Sequence, residues 1–459
     1  MVRLSATDLL IIVLYAGLML AIGVWRGRKG SLETYFANNR ATGLTLMLFS
    51  TVATWVGAGA VVGVCSASFN SGISFALSVI IINTVFMTLF GVISPRLKAF
   101  GDTWQAYTPG VLLEHFFDSR VRVLFAVVSM LTALVWGAVQ LLAMGQFLSL
   151  ILQLDLWISL FAALALVLVY TTFGGLRSDI YTDALQFVVM VITFAVFIPV
   201  VVSDSGGFSV LSKLPPGHFD PAGFGGWTFL LASLVIGCLY PLVNVWEWQR
   251  VFAARSGNIA RWSYLLSIPF CILFVGAACL AGLYAAVQMP AARPDQVLFS
   301  MLQVSLPAGV LGLAYAGVLA LIMSSIDSIF IAITAVFTND LLPAVRSSSG
   351  SPRLRRVRWV NFFAGSLCGA LALCFPSIVN LSLVATYLSF CFAAVMLSIL
   401  LNWSVSARAA RCSVLSGLLV LALGWTFLGK NCFPLIVVAI FAPLIFQKKQ
   451  LRCAGKSAG

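Results

Sequence analysis

Four polar residues, Ser324, Ser325, Asp327 and Ser328, lie inside a long apolar run from Val310 to Phe337. Ser324, Asp327 and Ser328 follow the i, i+3, i+4 spacing, so they share one face if the run is a helix. A carboxylate at the centre of a membrane-spanning helix costs roughly 2.5–3.5 kcal/mol on insertion scales. Because oxygen ligands suit hard cations, the cluster predicts an alkali-cation site, with sodium as the expected ion.

The alternative is that these hydroxyls serve packing only. Serine hydroxyls on spanning helices often bond the carbonyl four residues back, or a neighbouring helix. Other acids in apolar segments are few: Asp183 opens one segment, and Glu247 lies near the end of another, three residues before Arg250. We expect Glu247 and Arg250 to form a local ion pair. No Lys or Arg is expected deep in any span, which leaves a negatively charged core that favours a cation.

The composition indicates an all-α polytopic membrane protein. Of 459 residues, 61% are hydrophobic and 9% are charged, against about 25% charged in soluble domains. The net charge of +13 lies in loops, as topology signals do, so no nucleic-acid partner is expected. The ten cysteines contain no Cys-x-x-Cys pair, and the two histidines are far apart, which argues against a disulfide framework or a soft-metal site.

Thirteen apolar segments are long enough to span a bilayer. If the N-terminus lies outside and the C-terminus in the cytoplasm, only Arg3, Lys213, Arg293 and Lys430 of the 27 Lys and Arg residues lie outside. The segments are 8–25, 42–69, 74–95, 121–149, 153–172, 182–203, 227–248, 263–288, 307–338, 357–375, 380–401, 411–428 and 431–447.

Two of these segments are interrupted. The second carries Gly57, Gly59 and Gly63, and the seventh carries Gly237 and Pro241. They are five segments apart, so the two halves would have opposite topology. Matched interruptions of this kind indicate an inverted-repeat transporter with a binding site near the bilayer midplane. The alternative is that glycine and proline are simply common in spanning helices.

Four stretches, in order along the chain, resemble the sodium:solute symporters, which carry sugars, amino acids, sialic acids, vitamins and iodide. The resemblance extends over nearly the whole chain. The stretches are Asp8, Tyr15 and Gly23 with Tyr35-Phe36-Ala37-x-x-Arg40; Gly174-Gly175 with Thr182-Asp183 and Gln186; Gln249-Arg250 with Ala253-Ala254-Arg255-Ser256; and Met323-Ser324-Ser325-x-Asp327-Ser328.

The resemblance implies a single transmembrane domain over 1–459 with the leucine-transporter fold. It places an extra helix at 8–25, a five-helix repeat at 42–203, a second five-helix repeat at 227–401, and two further helices at 411–447. These make thirteen transmembrane helices in a plasma membrane, of the bacterial inner-membrane type. The expected partners are membrane lipid and a small organic solute such as a sugar or an amino acid. We expect no obligate protein partner.

The resemblance also implies roles for residues. The main sodium site falls on the backbone of Ala53, Val56 and Leu321 and on the hydroxyls of Ser324 and Ser325. A second site, for sodium or a proton, falls on Asp183, Asp327 and Ser328, with Asp183 and Asp327 expected to form an acidic pair. The residues expected to line the solute pocket are Trp55, Trp136, Gln140, Tyr240 and Tyr387. Because no arginine lies between Arg122 and Arg177, a sialic-acid-type carboxylate site is not expected.

The sequence therefore predicts sodium-coupled symport of a small organic solute into the cell by alternating access. One alternative keeps the fold and couples transport to protons through Asp183 and Asp327. Another is a membrane sensor or channel that does not transport a solute. An enzyme is not expected, because no histidine cluster, nucleophile–base pair or metal-ligand spacing appears.

Overall fold

A computed structural model describes residues 4–27, 31–342, 351–375 and 377–456. The described chain is helical and contains no β-strand, although Thr42 and Ala254 form an isolated parallel bridge. In the first half the helices are α1 (Ala6–Gly27), α2 (Leu32–Ala37), α3 (Leu44–Trp55), α4 (Ala58–Ser71), α5 (Ser74–Thr103), α6 (Gly110–Phe116), α7 (Ser119–Leu152) and α8 (Leu156–Asp204).

In the second half, a π-helical turn follows α13 and a 3₁₀ turn lies between α9 and α10. The helices are α9 (Gly226–Leu239), α10 (Val245–Ala253), α11 (Gly257–Gln288), α12 (Val297–Ser305), α13 (Val310–Val336), α14 (Ser351–Cys374), α15 (Ile378–Leu400), α16 (Ala407–Leu428) and α17 (Phe433–Lys456).

Ten helices in the described residues are long and apolar enough to cross a membrane, or eleven if the bent pair α3–α4 counts as one span. Two shorter apolar helices cover Leu156–Val169 and Phe433–Ile445. Each of the thirteen predicted segments overlaps a helix. The all-helical, multi-span architecture is therefore confirmed, whereas the count of thirteen spans remains a prediction.

The break between α3 and α4 bends the chain by 42°. Val56 ends α3 at φ −84° and ψ 56°, and Gly57 continues with an extended backbone before α4 begins. A Cβ on Gly57 would collide with the side chain of Ser325 and lie 2.9 Å from Nε2 of Gln140. The glycine thus allows α13 and α7 to approach the broken backbone closely.

A second break separates α9 from α10. A 3₁₀ turn at Tyr240–Val243, which contains Pro241, is followed by extended Asn244. Pro241 has no N–H to donate to a helix, which explains why α9 cannot continue. Both breaks lie where the sequence predicted them.

Helix α8 consists of two helical stretches that meet without a loop at Gly175, which has non-helical geometry (φ 63°, ψ −178°). The two stretches correspond to the predicted segments 153–172 and 182–203, and what differs from the prediction is that a kink replaces the connection between them. A Cβ on Gly175 would lie 2.5 Å from the ring of Tyr35. The glycine is therefore required twice, for its backbone angle and for the contact with α2.

Helix α13 lies at the centre of the bundle. It packs against α1, α3, α7, α8 and α14, and its span is fully buried. A helix that is apolar all round is expected in a protein interior or facing lipid. Here the surrounding helices exclude lipid, so the polar residues of α13 face protein.

Candidate functional site

Two serine hydroxyls of α13 contact the broken end of α3. Ser324 Oγ donates to the carbonyl of Ala53 at 2.7 Å, and Ser325 Oγ donates to the carbonyl of Thr54 at 2.8 Å. The carbonyl of Leu321 is within 3.4 Å of both hydroxyls. The structure thus brings together Ala53, Leu321, Ser324 and Ser325, four of the five residues predicted for the main sodium site.

The fifth residue, Val56, lies at the same break and is buried. It precedes Gly57, which packs against Ser325. Carbonyls at the end of a half-helix have no partner in the next turn, so they can face an ion or a neighbouring side chain. If the two serine protons turned away from the carbonyls, every oxygen here could offer a lone pair to a cation.

Gln140 of α7 explains why the carbonyl of Thr54 is available. In an unbroken helix this carbonyl would accept from the N–H of Ala58. Here the N–H of Ala58 donates instead to Oε1 of Gln140 at 2.9 Å. The side-chain amide therefore satisfies the first N–H of α4 and leaves the carbonyl of Thr54 to Ser325.

Arg250 is fully buried, which corrects the expectation that the core holds no fixed positive charge. Its Nη2 donates to Ser328 Oγ at 2.7 Å and to Thr54 Oγ1. The same atom lies 3.1 Å from Oδ2 of Asp183 and 3.4 Å from Oδ2 of Asp179. A buried charge needs partners of this kind, and the two aspartates of α8 supply them.

Hydroxyls from α3 and α13 bond Arg250 and also bond the two aspartates of α8. Ser50 of α3 donates to Asp183 at 2.5 Å and accepts from Nε of Arg250 at 3.2 Å. Ser328 of α13 donates to Oδ2 of Asp179 at 2.8 Å. Arg250 was expected only as a partner of Glu247, and Asp179 was not predicted. The available signal was the i, i+4 spacing of Asp179 and Asp183, which puts two acids on one face of an apolar helix.

The predicted second site therefore also includes a buried arginine, which the sequence analysis did not expect there. Asp183 and Ser328 both contact Arg250, whereas Asp327 lines a small cavity beside Asp179. Glu247 accepts a hydrogen bond from the hydroxyl of Tyr264 at 2.7 Å. Binding of a second cation or a proton at Asp183, Asp327 and Ser328 remains a prediction.

A cavity of about 120 Å³ adjoins the break between α3 and α4. All five residues predicted to contact the solute line it, and Trp55 and Tyr240 meet edge to face with ring centroids 6.0 Å apart. Those five are Trp55, Trp136, Gln140, Tyr240 and Tyr387. Ser325 lines the same cavity, so a solute there would lie beside the candidate sodium site.

The cavity lining is aromatic and amide-rich. No residue that lines it, within the described part of the chain, carries a formal charge. Asn83 and Asn244 add two further amides, and the buried indole N–H of Trp136 has no hydrogen-bond partner among the described residues. The site thus offers uncharged donors and flat aromatic faces to a ligand.

This chain is similar in sequence to proteins of one transporter family. The sequence profile of the sodium:solute symporter family matches residues 35–420. The chain is 27% identical over 403 residues to the high-affinity choline transporter 1 of Drosophila melanogaster, covering 81% of this chain and 62% of that protein. It is 25% identical over 402 residues to the sodium/glucose cotransporter of Vibrio parahaemolyticus, covering 77% of this chain and 72% of that protein.

Among solved structures, the fold is similar to that of a Na⁺-coupled sialic acid symporter in a substrate-bound, outward-open state. The TM-score is 0.75 at 20% sequence identity, with 96% of this chain and 98% of the other covered. At this identity the likeness establishes the fold alone.

Proposed function

Because this chain belongs to the sodium:solute symporter family, we propose that it couples sodium entry to the uptake of a small organic solute. The observation that carries the proposal is the pair of contacts from Ser324 and Ser325 to the broken end of α3. Sodium bound there would tie α13 to the α3–α4 break, next to the solute cavity. Ion and solute would then stabilise the same closed arrangement.

The proposed architecture has thirteen spans, with 42–203 and 227–401 as inverted repeats. The N-terminus would lie outside a plasma membrane and the C-terminus in the cytoplasm. In that orientation the cavity extends from the midplane toward the outer ends of α5 and α9, where Phe75 and Phe229 line it. In the same orientation the Arg250 cluster would lie on the inner side of the break and would close the inner path, which supports an outward-facing state.

Transport would be driven by sodium and by the membrane potential. One positive charge that crosses 100 mV gains about 2.3 kcal/mol, which corresponds to roughly fifty-fold accumulation. Release of the ion inside would require α10 and α13 to separate from α3 and α8. The Arg250 contacts to Thr54 of α3 and to Asp179 and Asp183 of α8 are the interactions that this movement must break.

The uncharged lining favours a solute without net negative charge. A carboxylate or phosphate group would find no Lys or Arg in the described cavity wall. Sugars and polyols can bond the amides and the indole N–H, and an ammonium group can lie against the aromatic faces. The relatives named above transport choline and glucose, which fit these two classes.

Proton coupling is the alternative that the comparisons do not favour, and its proton would be carried by the buried carboxylates of Asp179, Asp183 and Asp327. Purified protein in proteoliposomes separates the two candidates after a ligand screen has identified a solute. We expect an inward sodium gradient to drive accumulation, and a pH gradient in sodium-free buffer to drive none. Accumulation by the pH gradient alone would favour proton coupling. Uptake that never exceeds equilibrium would favour a channel.

A further inference from the structure

Glu247 is a buried acid that none of the sites described above uses. It lies in the first turn of α10, directly after the second helix break, and it is fully buried. The hydroxyl of Tyr264 donates to its Oε2 at 2.7 Å, whereas its Oε1 has no hydrogen-bond partner within the described part of the chain. A buried carboxylate is costly at membrane depth, so its presence here calls for a functional explanation.

The carboxylate of Glu247 lies behind the wall of the solute cavity. The indoles of Trp55 and Trp246 interact with it, and both tryptophans line the cavity, whereas Glu247 itself does not. The buried N–H of Trp55 and Oε1 of Glu247 both lack a hydrogen-bond partner among the described residues, so they attract each other without forming a hydrogen bond. A solute in the cavity would therefore contact the two indoles and not the carboxylate behind them.

The negative charge of Glu247 is not cancelled by a close ion pair. Arg250, one turn later on α10, attracts the carboxylate, but its ion pairs within the described residues are with Asp179 and Asp183 of α8. The N-terminus of α10 adds a positive partial charge, which favours the ionised form of an acid in the first turn. In a buried and weakly polar environment, the field of such a charge extends into the neighbouring cavity.

The cavity wall in front of Glu247 is largely aromatic. Trp136 and Tyr240 line it together with Trp55 and Trp246. The face of an aromatic ring attracts a cation, and a carboxylate near an indole strengthens that attraction because it adds negative potential. A quaternary ammonium group has no N–H of its own, so it needs none of the charged acceptors that the described wall lacks. A neutral polyol would gain nothing from the carboxylate.

We propose that Glu247 makes the cavity selective for a solute that carries an alkylated ammonium group. The aromatic wall contacts this group, and the carboxylate behind Trp55 and Trp246 supplies the opposing charge. The inference rests on the proposed function and names the chemical class of its solute. Sodium at Ser325 would bring a positive charge to the same cavity, and the carboxylate of Glu247 would offset its repulsion of a cationic solute.

Isothermal titration calorimetry of the purified full-length protein in sodium chloride tests the proposal. The probes are choline and dimethylbutanol, the neutral isostere of choline in which a carbon atom replaces the charged nitrogen. We expect the wild type to bind choline at least about tenfold more tightly than the isostere. In Glu247→Gln the Kd for choline should rise about tenfold while the Kd for the isostere stays within about twofold, because only the charged ligand responds to the lost carboxylate.

The variants separate charge from structure. A purely structural role for Glu247 would weaken the binding of both ligands alike, and binding of radiolabelled sodium checks that Glu247→Gln is folded with its main site intact. Tyr264→Phe removes the hydrogen bond to Glu247 but keeps the charge, so it should retain the preference for choline. The matched control is Asp340→Asn, which neutralises another buried acid that pairs with Arg122 away from the cavity and should also retain the preference.

A wild type without this preference, or a Glu247→Gln protein that keeps it, would overturn the inference. Proteoliposomes separate this result from the fate of the proposed function. Sodium-driven accumulation of glucose but not of choline would leave the proposed function standing and contradict the cationic solute. Preferential binding of choline that is lost in Glu247→Gln, without any sodium-driven accumulation of choline, would support the selectivity of the cavity and contradict sodium-coupled symport.

Discussion

Gln140 contacts both the break between α3 and α4 and the cavity beside it. Its Oε1 accepts from the N–H of Ala58, and the residue lines the cavity. The sequence could predict that a mid-span amide needs a partner, but not that the partner is the first N–H of α4. That relation depends on how α7 packs against the break, which no spacing along the chain encodes.

The two ends of the amide can be separated by substitution. In Gln140→Leu the N–H of Ala58 loses its acceptor, at a cost of about 1–3 kcal/mol, and competes for the carbonyl of Thr54. We therefore expect weaker sodium binding together with weaker solute binding. Gln140→Glu keeps an acceptor for Ala58 but loses the amide donor, so the KM for solute should rise more than the KM for sodium. Initial uptake rates at varied sodium and solute concentrations measure both. Equal effects of the two substitutions would contradict this division.

Arg250 has a different environment and different partners from those predicted. It was expected to pair with Glu247 near the end of a span, where arginines usually reach water. The structure buries it completely and pairs it with Asp179 and Asp183 of another helix. Long-range partners of this kind can be anticipated from two acids spaced i, i+4 on an apolar helix, but their identity depends on the tertiary fold.

Removal of Arg250 should be strongly destabilising. Arg250→Gln leaves two buried carboxylates without their cation, and breaking a buried ion pair costs about 3–5 kcal/mol. We expect a large drop in the thermal unfolding temperature of the detergent-solubilised protein, with partial recovery in Arg250→Lys. Arg255→Gln is the control, because Arg255 is exposed just beyond the end of α10. A melting temperature in Arg250→Gln equal to that of the control would mean that the cluster adds no stability.

The predicted interruptions of helices were accurate where a glycine or proline lies inside an apolar segment. Gly57 and Pro241 each predicted an interrupted helix, and both interruptions are present. Between segments 153–172 and 182–203 the sequence predicted a connection, whereas the structure has a kink at Gly175. Tyr35 of α2 packs against Gly175, so the difference depends on a contact that is remote in sequence.

The kink of α8 gives a prediction at this scale. Gly175→Ala places a Cβ against the ring of Tyr35 and forces an L-residue to φ 63°. Such backbone strain costs of order 1–3 kcal/mol, so the variant should unfold at a lower temperature than the wild type. Adding Tyr35→Leu should recover part of the loss by removing the clash, while the backbone strain remains. The control Gly276→Ala adds a Cβ where nothing lies within 4 Å. Identical melting curves for Gly175→Ala and this control would refute the role of the glycine.

At the scale of the whole molecule, hydropathy located the long apolar helices but not the short helices α2, α6 and α12, and the interruptions indicated a transporter. What hydropathy could not supply is which helices surround α13, since its apolar face continues all round and fits either lipid or protein. The enclosure of α13 by α1, α3, α7, α8 and α14 is what makes its serines part of a site rather than of a surface. We propose that sodium binds at this enclosed contact between α13 and α3.

The most direct test of that claim is sodium-dependent uptake by the double variant Ser324→Ala with Ser325→Ala in proteoliposomes. Thr334→Val is the matched control, because Thr334 is a buried hydroxyl residue on the same helix whose hydroxyl donates to the carbonyl of Phe330, one turn earlier. We expect the double variant to fold, as judged by size-exclusion profile and melting curve, and to lose sodium-driven accumulation, while Thr334→Val retains it. Full sodium-driven accumulation by the double variant would show that the contact between α13 and α3 is not the sodium site.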